Sequence, residues 1–286
     1  MTLCIVWRSA PAFLSLASDS RLRLSEYEYV DIAAKIFPLE VTLFDLVGVG
    51  ADARVQRLPH TRLAVCTAGS LASAQSLRAV LQIALYHLSS TLGPPTPSLE
   101  SICRLVEVFF RRIARSACEK LYANGLLEFV VVGFDPTADA TKAYHFELNT
   151  HSYPLQVEYR EVSETELPLA LGSGASAAKA RLVADPGTDP LDVLKQVILD
   201  EAVPSVGGLI QYTRIGPDGY VPFGVIDYSV DHVALRFRRH HCIAGIEVDP
   251  IELYEAGSPP MSLTSIAPFE KRLLSLSAQG YEGETT

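Results

Sequence analysis

Two pairs of helical segments divide an otherwise strand-rich chain, and this order is the strongest constraint on its fold. Residues 70–90 carry apolar side chains at Leu77, Val80, Leu81, Ala84, Leu85 and Leu88, a helical spacing that stops before Gly93-Pro94-Pro95. Ser98 is placed to cap a second helix with Ile102, Val106, Phe109, Ile113, Ala117 and Leu121 on one face, ending at Asn124-Gly125. A second pair is expected at 175–183, opening at Gly172-Ser173-Gly174, and at 189–202. Short apolar runs at 3–7, 13–17, 41–47, 62–68, 127–134, 144–148, 155–161, 209–214 and 220–225 read as strands. Arg8-Ser9-Ala10-Pro11 turns the first two into a hairpin, and Gly216-Pro217-Asp218-Gly219 joins the last two. Residues 27–37 are mixed, and Gly48-Val49-Gly50 reads as a loop. Strands, two helices, strands, two helices, strands is not a β-α-β alternation, so a parallel doubly wound sheet is not expected. An α+β fold is expected instead: a four-layer αββα sandwich, two antiparallel sheets face to face with a helix pair outside each, buries every one of these stripes. Residues 227–286 read as a C-terminal extension to a domain at 2–226, with a strand at 233–237, a segment at 246–254 and a polar tail from Ser275.

The bulk properties exclude several functions. A net charge of −9 argues against a nucleic-acid surface, and Arg111-Arg112 and Arg238-Arg239-His240-His241 read as solvated edges. No apolar run reaches the ~18 residues of a membrane span. Arg8 and Pro11 interrupt what would be a signal-peptide core. Cys4, Cys66, Cys103, Cys118 and Cys242 are scattered and lack a Cys-x-x-Cys pair, which suits a reducing cytoplasm and neither a disulfide framework nor a zinc site. His240-His241-Cys242 offers adjacent ligands without a distant partner, so no metal is expected. His145 and His151 are expected at the surface, flanking a hairpin; Trp7, Tyr27 and Tyr29 are expected in a core or interface. No organic cofactor motif stands out: Gly172-Ser173-Gly174 lacks the Lys-Ser/Thr sequel of a phosphate loop.

The chemistry points to the N-terminus. In Met1-Thr2, threonine is small enough for methionine removal, which would put a hydroxyl nucleophile and its own amine base on one residue. No propeptide precedes Thr2 in this reading. Four further landmarks follow in order: Ser18-Asp19-Ser20-Arg21, Lys35, Thr67-Ala68-Gly69-Ser70 and Leu171-Gly172-Ser173-Gly174. Singly, each has a plain structural explanation. Thr2 is an ordinary second residue, Asp19 an Asx-turn, Lys35 an exposed strand lysine, Gly69 a strand-to-helix turn and Ser173 an N-cap.

Together these landmarks resemble the proteasome β-subunit family of N-terminal-nucleophile (Ntn) hydrolases, which includes the bacterial HslV and Anbu peptidases. The resemblance covers residues 2–215. It implies the Ntn-hydrolase sandwich for the domain at 2–226 and a threonine peptidase working inside a homo-oligomeric ring, without metal or cofactor. In that scheme Thr2 Oγ attacks a peptide carbonyl and Lys35 lowers the cost of the alkoxide or takes its proton. Asp19 holds Lys35 and keeps it charged. The Gly69 N–H faces the oxyanion, where a donor is worth ~3 kcal/mol, and Ser173 sets the protonation of the Thr2 amine. The family's Asp-x-x-Ser-Gly-Gly becomes Asp200-Glu201-Ala202-Val203-Pro204-Ser205-Val206-Gly207-Gly208, in which Ser205 matches and the acid shifts to Glu201 or Asp200. The stretch between Lys35 and Gly69 is longer than the family's, and residues 227–286 have no counterpart in it.

Ala33, Thr67 and Leu71 are implied as the pocket for the residue before the cut, and small or apolar side chains there predict a preference for uncharged residues. Peptide or unfolded protein is the implied substrate. A partner ATPase unfoldase is compatible with the resemblance, and nothing in the sequence points to one. Two other functions fit the same landmarks: an amidase for small amides, and a catalytically inactive scaffold subunit.

Overall fold

The computed structural model describes residues 2–25, 28–47, 54–57, 61–86, 88–89, 97–150, 152, 155–231, 236–243, 246–247 and 265–266. Its strands are β1 (Cys4–Ala10), β2 (Phe13–Ser18), β3 (Leu22–Arg23), β4 (Tyr29–Val30), β5 (Ile36–Val41), β6 (Leu43–Val47), β7 (Arg54–Arg57), β8 (Thr61–Gly69) and β9 (Leu88–Ser89). They continue as β10 (Leu127–Asp135), β11 (Ala140–Asn149), β12 (Gln156–Glu161), β13 (Leu169–Leu171), β14 (Gln211–Gly216), β15 (Gly219–Asp231), β16 (Arg236–Ile243), β17 (Ile246–Glu247) and β18 (Ser265–Ile266). The α-helices are α1 (Leu71–Tyr86), α2 (Leu99–Leu121), α3 (Ala175–Ala184) and α4 (Pro190–Ile198).

One sheet runs β13-β1-β2-β14-β15-β16-β17, with β18 added alongside β15; another runs β12-β11-β10-β8-β5. Their ladders are antiparallel apart from the β15–β18 pair. The fold is therefore α+β with antiparallel sheets, as expected from the element order.

Strand alternation explains how the sheets are buried on both faces. In β1, Cys4 and Val6 point into a core shared with Ala64, Cys66, Val130 and Val132 of the other sheet. Leu3, Ile5 and Trp7 point the other way, onto Leu191, Leu194 and Val197 of α4 and Ala178 of α3. In β8, Leu63 and Val65 face Leu77 and Leu81 of α1 and Ile102, Val106 and Phe110 of α2. Phe129 is the hinge of that cluster, edge-on to Phe110 at 4.8 Å and stacked on Phe146 at 4.6 Å. Each such aromatic contributes about 1.5–3 kcal/mol by leaving water.

Local signals place the helices. The Ser98 hydroxyl accepts from the Ser101 N–H at 3.2 Å, as its capping position predicts. Asp189 caps α4 through the Leu191 N–H at 2.9 Å, with Pro190 in the first turn. Two helix ends differ from expectation. α1 stops at Tyr86, because Leu88–Ser89 turns into a strand beside β6; α4 stops at Ile198, because Asp200 turns back to accept the Ala202 N–H. β13 was not anticipated, being only three residues long.

The cysteines also depart from expectation. Cys4 and Cys66 are joined by a disulfide between β1 and β8. Separation in sequence hid the fact that these strands lie face to face. His145, expected at the surface, is buried in β11 with 6 % exposure. Trp7 packs on Tyr212 at 5.9 Å, as a core residue should. Position 227 falls within β15, which continues without a break to Asp231. Met1, Tyr27, Gly48-Val49-Gly50, Gly93-Pro94-Pro95, His151, Val233, the segment after Glu247 up to Tyr254, the tail from Ser275 and the side chains of Arg238–Cys242 lie outside the described residues. Among the described residues, no helix is long and apolar enough to cross a membrane.

Candidate active site

The first hairpin brings Thr2 and Asp19 together. Pairing of Cys4 with Ser18 sets Leu3 opposite the residue that follows β2. The Asp19 N–H then donates to the Leu3 carbonyl at 3.3 Å, and the Leu3 N–H to Asp19 Oδ1 at 2.9 Å. Lys35, the last residue before β5, reaches the same oxygen: its Nζ lies 2.7 Å from Oδ1. Two donors on one oxygen put the Lys35 amine within two hydrogen-bond lengths of the Thr2–Leu3 peptide. Asp19 Oδ2 takes two more backbone donors, Arg21 at 3.2 Å and Gly207 at 3.1 Å.

All three side chains are shielded: Thr2 is 2 %, Asp19 0 % and Lys35 5 % exposed. The ammonium is pulled two ways. Burial pushes the Lys35 amine down and the Asp19 carboxylate pulls it up; burial wins, so Lys35 holds its proton less tightly than an ordinary lysine. A buried amine of this kind can both neutralise an oxyanion and accept a proton.

A turn on the far side of Thr2 supplies the next contacts. The Thr2 N–H donates to Ser173 Oγ at 3.1 Å, and the Gly174 N–H to the Thr2 carbonyl at 3.1 Å. Ser173 Oγ in turn meets Ser205 Oγ at 2.8 Å. The turn needs glycine at 172: its φ is +88°, and a Cβ there would collide with the Thr2 carbonyl oxygen.

The other sequence-derived residues fall at different distances from this centre. Gly69 ends β8 with φ +114°, exposed, and a Cβ there would sit 2.5 Å from the Leu126 carbonyl oxygen. Ala33 is buried, donating its N–H to the Ser20 carbonyl at 2.9 Å. Thr67 is turned onto Lys35, whose carbonyl accepts from the Thr67 N–H at 3.0 Å and from its hydroxyl at 3.3 Å. Leu71 is half-buried at the start of α1. Glu201 is exposed and joins none of these hydrogen bonds; Asp200 is bonded to Arg181. The structure thus gathers Thr2, Asp19, Lys35, Ser173 and Ser205, and leaves both acids of the 200–201 pair outside the cluster.

Two supports were not anticipated. Gln211, buried on β14, accepts from the Lys35 and Ile36 N–H groups at 2.9 and 3.3 Å and donates to the Asp19 and Ala33 carbonyls at 3.2 and 2.6 Å. One amide therefore clamps the backbones that carry both charges. Arg21 forms a two-pronged pair with Asp31, at 2.8 and 3.0 Å, and reaches the Pro204 and Val206 carbonyls at 3.2 and 3.4 Å. Only Arg21 carried a sequence signal, through its place after Asp19-Ser20. Among the described residues, no group of three or more His, Cys, Asp or Glu side chains is placed to hold a metal ion.

No protein-family model matches this chain, and no curated protein matches it by sequence. Solved structures do match it in shape. An Anbu (Gly-1) mutant from Hyphomicrobium sp. strain MC1 aligns with a TM-score of 0.53 at 13 % identity, covering 100 % of this chain and 99 % of its own. Anbu (ancestral beta-subunit) from Yersinia bercovieri aligns at 0.54 and 16 %, covering 97 % of each chain. The helical assembly of the Anbu complex from Pseudomonas aeruginosa aligns at 0.51 and 18 %, covering 99 % and 97 %. At such identities the likeness establishes one thing: this chain has the fold seen in Anbu proteins.

Proposed function

We propose that this protein is an N-terminal threonine peptidase of proteasome type that cleaves peptide bonds within a homo-oligomeric assembly. The observation that carries the reading is the single buried Asp19 oxygen shared by the Lys35 amine and the Leu3 N–H, which holds next to Thr2 a lysine that gives up its proton more readily than an ordinary one. Thr2 Oγ attacks the substrate carbonyl and Lys35 Nζ accepts its proton. The Gly69 N–H stabilises the oxyanion. On collapse Lys35 returns that proton to the leaving nitrogen, which departs as the amine product; water then hydrolyses the Thr2 ester, releasing the acid product and restoring the Thr2 hydroxyl. Ser173 and Ser205 orient the Thr2 nitrogen.

The three apolar cores support a four-layer αββα arrangement. In this reading residues 2–226 form the hydrolase unit and residues 227–286 an extension of it. Pocket residues Ala33, Thr67 and Leu71 select uncharged side chains. The Anbu complex from Pseudomonas aeruginosa is a helical assembly, which supports self-association of this chain; an unfoldase partner completes the proposal.

The test begins with intact mass. Loss of Met1 creates the free Thr2 amine, and a peptide epoxyketone, which needs both that amine and the hydroxyl, should then modify Thr2. Thr2→Ala should abolish both capture and cleavage of a casein-like substrate. Retention of Met1, or unchanged cleavage by Thr2→Ala, overturns the peptidase. A scaffold subunit is the second reading, favoured because Glu201, the acid implied to support the Thr2 amine, is exposed to solvent. It predicts normal assembly with no capture. A small-amide hydrolase predicts capture, with turnover of simple amides and none of casein.

A further inference from the structure

The turn that receives Thr2 is tied to the opposite sheet through one side chain. Glu128, on β10, lies opposite Ala68 on β8, one residue from Gly69. Its Oε1 accepts the Gly172 N–H at 2.7 Å. Gly172 is pressed against the Thr2 carbonyl and Ala68 Cβ, too close for any side chain of its own. Its neighbours Ser173 and Gly174 make the two hydrogen bonds that hold Thr2. One carboxylate therefore spans from the strand that ends at Gly69 to the turn beneath Thr2.

A second observation shows that this carboxylate is itself held. Its other oxygen, Oε2, lies 3.6 Å from Nε2 of buried His145, and neither ring nitrogen of His145 has a hydrogen-bond partner among the described residues. A buried imidazole with both nitrogens unmatched is costly unless a charge faces it. The Glu128 carboxylate is that charge. Burial pushes the Glu128 carboxyl up, but the His145 imidazole and the Gly172 N–H outweigh it and hold the group below its ordinary range. His145 opens toward a cavity of about 400 Å³ whose lining includes Glu107, Glu147, Glu158 and Arg160.

We propose that Glu128 is a positioning residue for the Thr2 centre: its carboxylate, oriented by His145, sets the distance between the Gly172–Gly174 turn and the strand ending at Gly69. This rests on the threonine-hydrolase reading above. A half-buried acid in a strand is otherwise a poor choice, since strands disfavour glutamate. For the hydrogen bond to Gly172 its length matters more than its charge, whereas the charge serves His145. Glutamate reaches the Gly172 N–H, whereas aspartate, one methylene shorter, does not.

The test compares the rate of Thr2 capture by a peptide epoxyketone in the natural protein, Thr2→Ala, Glu128→Asp and Glu128→Gln, each checked for folding by circular dichroism melts. Glu128→Gln keeps the reach and an acceptor oxygen, and is expected to stay within about threefold of the natural rate. Glu128→Asp keeps the charge, and its capture rate is expected to fall by about tenfold or more, a rise of about 1.4 kcal/mol in the barrier. Faster amide exchange at residues 172–174 should accompany Glu128→Asp only. Equal rates for Glu128→Asp and the natural protein, or equal losses in both variants, overturn the positioning role while leaving the peptidase standing. If the natural protein is not captured at all, the hydrolase reading falls and takes this proposal with it.

Discussion

Lys35 Nζ lies 2.7 Å from Asp19 Oδ1, and the two side chains are 6 % and 0 % exposed. Water contributes little to solvating either charge, so each depends on the other and on the backbone donors around Asp19. That dependence links stability to the chemistry proposed for Thr2.

The amine should reveal itself in pH dependence. In the unfolded chain Lys35 titrates near ~10.4; burial lowers it in the folded protein. Between the two values the unfolded chain binds more protons, so stability should rise with pH across that window and be lowest below it. Lys35→Met should flatten that rise in urea titrations. With Lys35 as proton acceptor, turnover should climb along the same limb, its inflection below the ordinary lysine range; a pH–rate profile that does not rise with pH contradicts the assignment.

Removing one partner of the pair strands the other. Asp19→Asn should destabilise the protein by about 3–5 kcal/mol, because a buried ammonium loses its counter-charge. Lys35→Met should cost a comparable amount, and the double variant less than the two combined. Urea unfolding of the three variants measures this coupling; simple additivity would mean the charges do not interact.

Gly172→Ala probes the approach to Thr2. Its backbone sits at φ +88°, and the added methyl has no room beside the Thr2 carbonyl. Strain of about 1–3 kcal/mol is expected, together with loss of epoxyketone capture, since the turn must move away from Thr2. A control at Gly187, whose Cβ would meet only the Asp185 side chain at 3.5 Å, should leave capture intact.

The Cys4–Cys66 bond predicts a labelling pattern. Denatured without reductant, the protein should accept iodoacetamide at Cys103 and Cys118, which are free thiols, and not at Cys4 or Cys66. Peptide mapping after reduction should then find all four modified. Labelling of Cys4 before reduction would show that these thiols are unbonded in the purified protein.

Much of the local structure was legible because it depends on neighbours in the chain. The 3.6-residue apolar spacing from Ile102 to Leu121 and the Ser98 cap define α2 without help from the rest of the molecule. The runs around β1, β2, β8 and β10 read as strands because both of their faces are buried, leaving few polar interruptions. Thr2, Asp19, Lys35 and Ser173 could be picked out through their order along the chain. Their separations of 16 and 171 residues, bridged by hydrogen bonds, could not.

Local patterns in the chain reveal the alphabet of elements and the residue types that carry charge or a hydroxyl, since helix periodicity, caps and turns act over a few residues. Contacts between distant segments were decided by tertiary structure alone. Gln211 carries no local signal, yet it clamps Asp19 and Lys35 because β14 is laid beside β2. His145 has the composition of a surface residue and is buried because β11 runs between β10 and β12. Glu201 lies one residue before the place of the acid in the resembled pattern, and the turn after α4 leaves it in solvent. The physical reason is common to all three: hydrogen bonding and burial depend on distance in space, and sheet pairing sets that distance between residues that the chain itself keeps far apart.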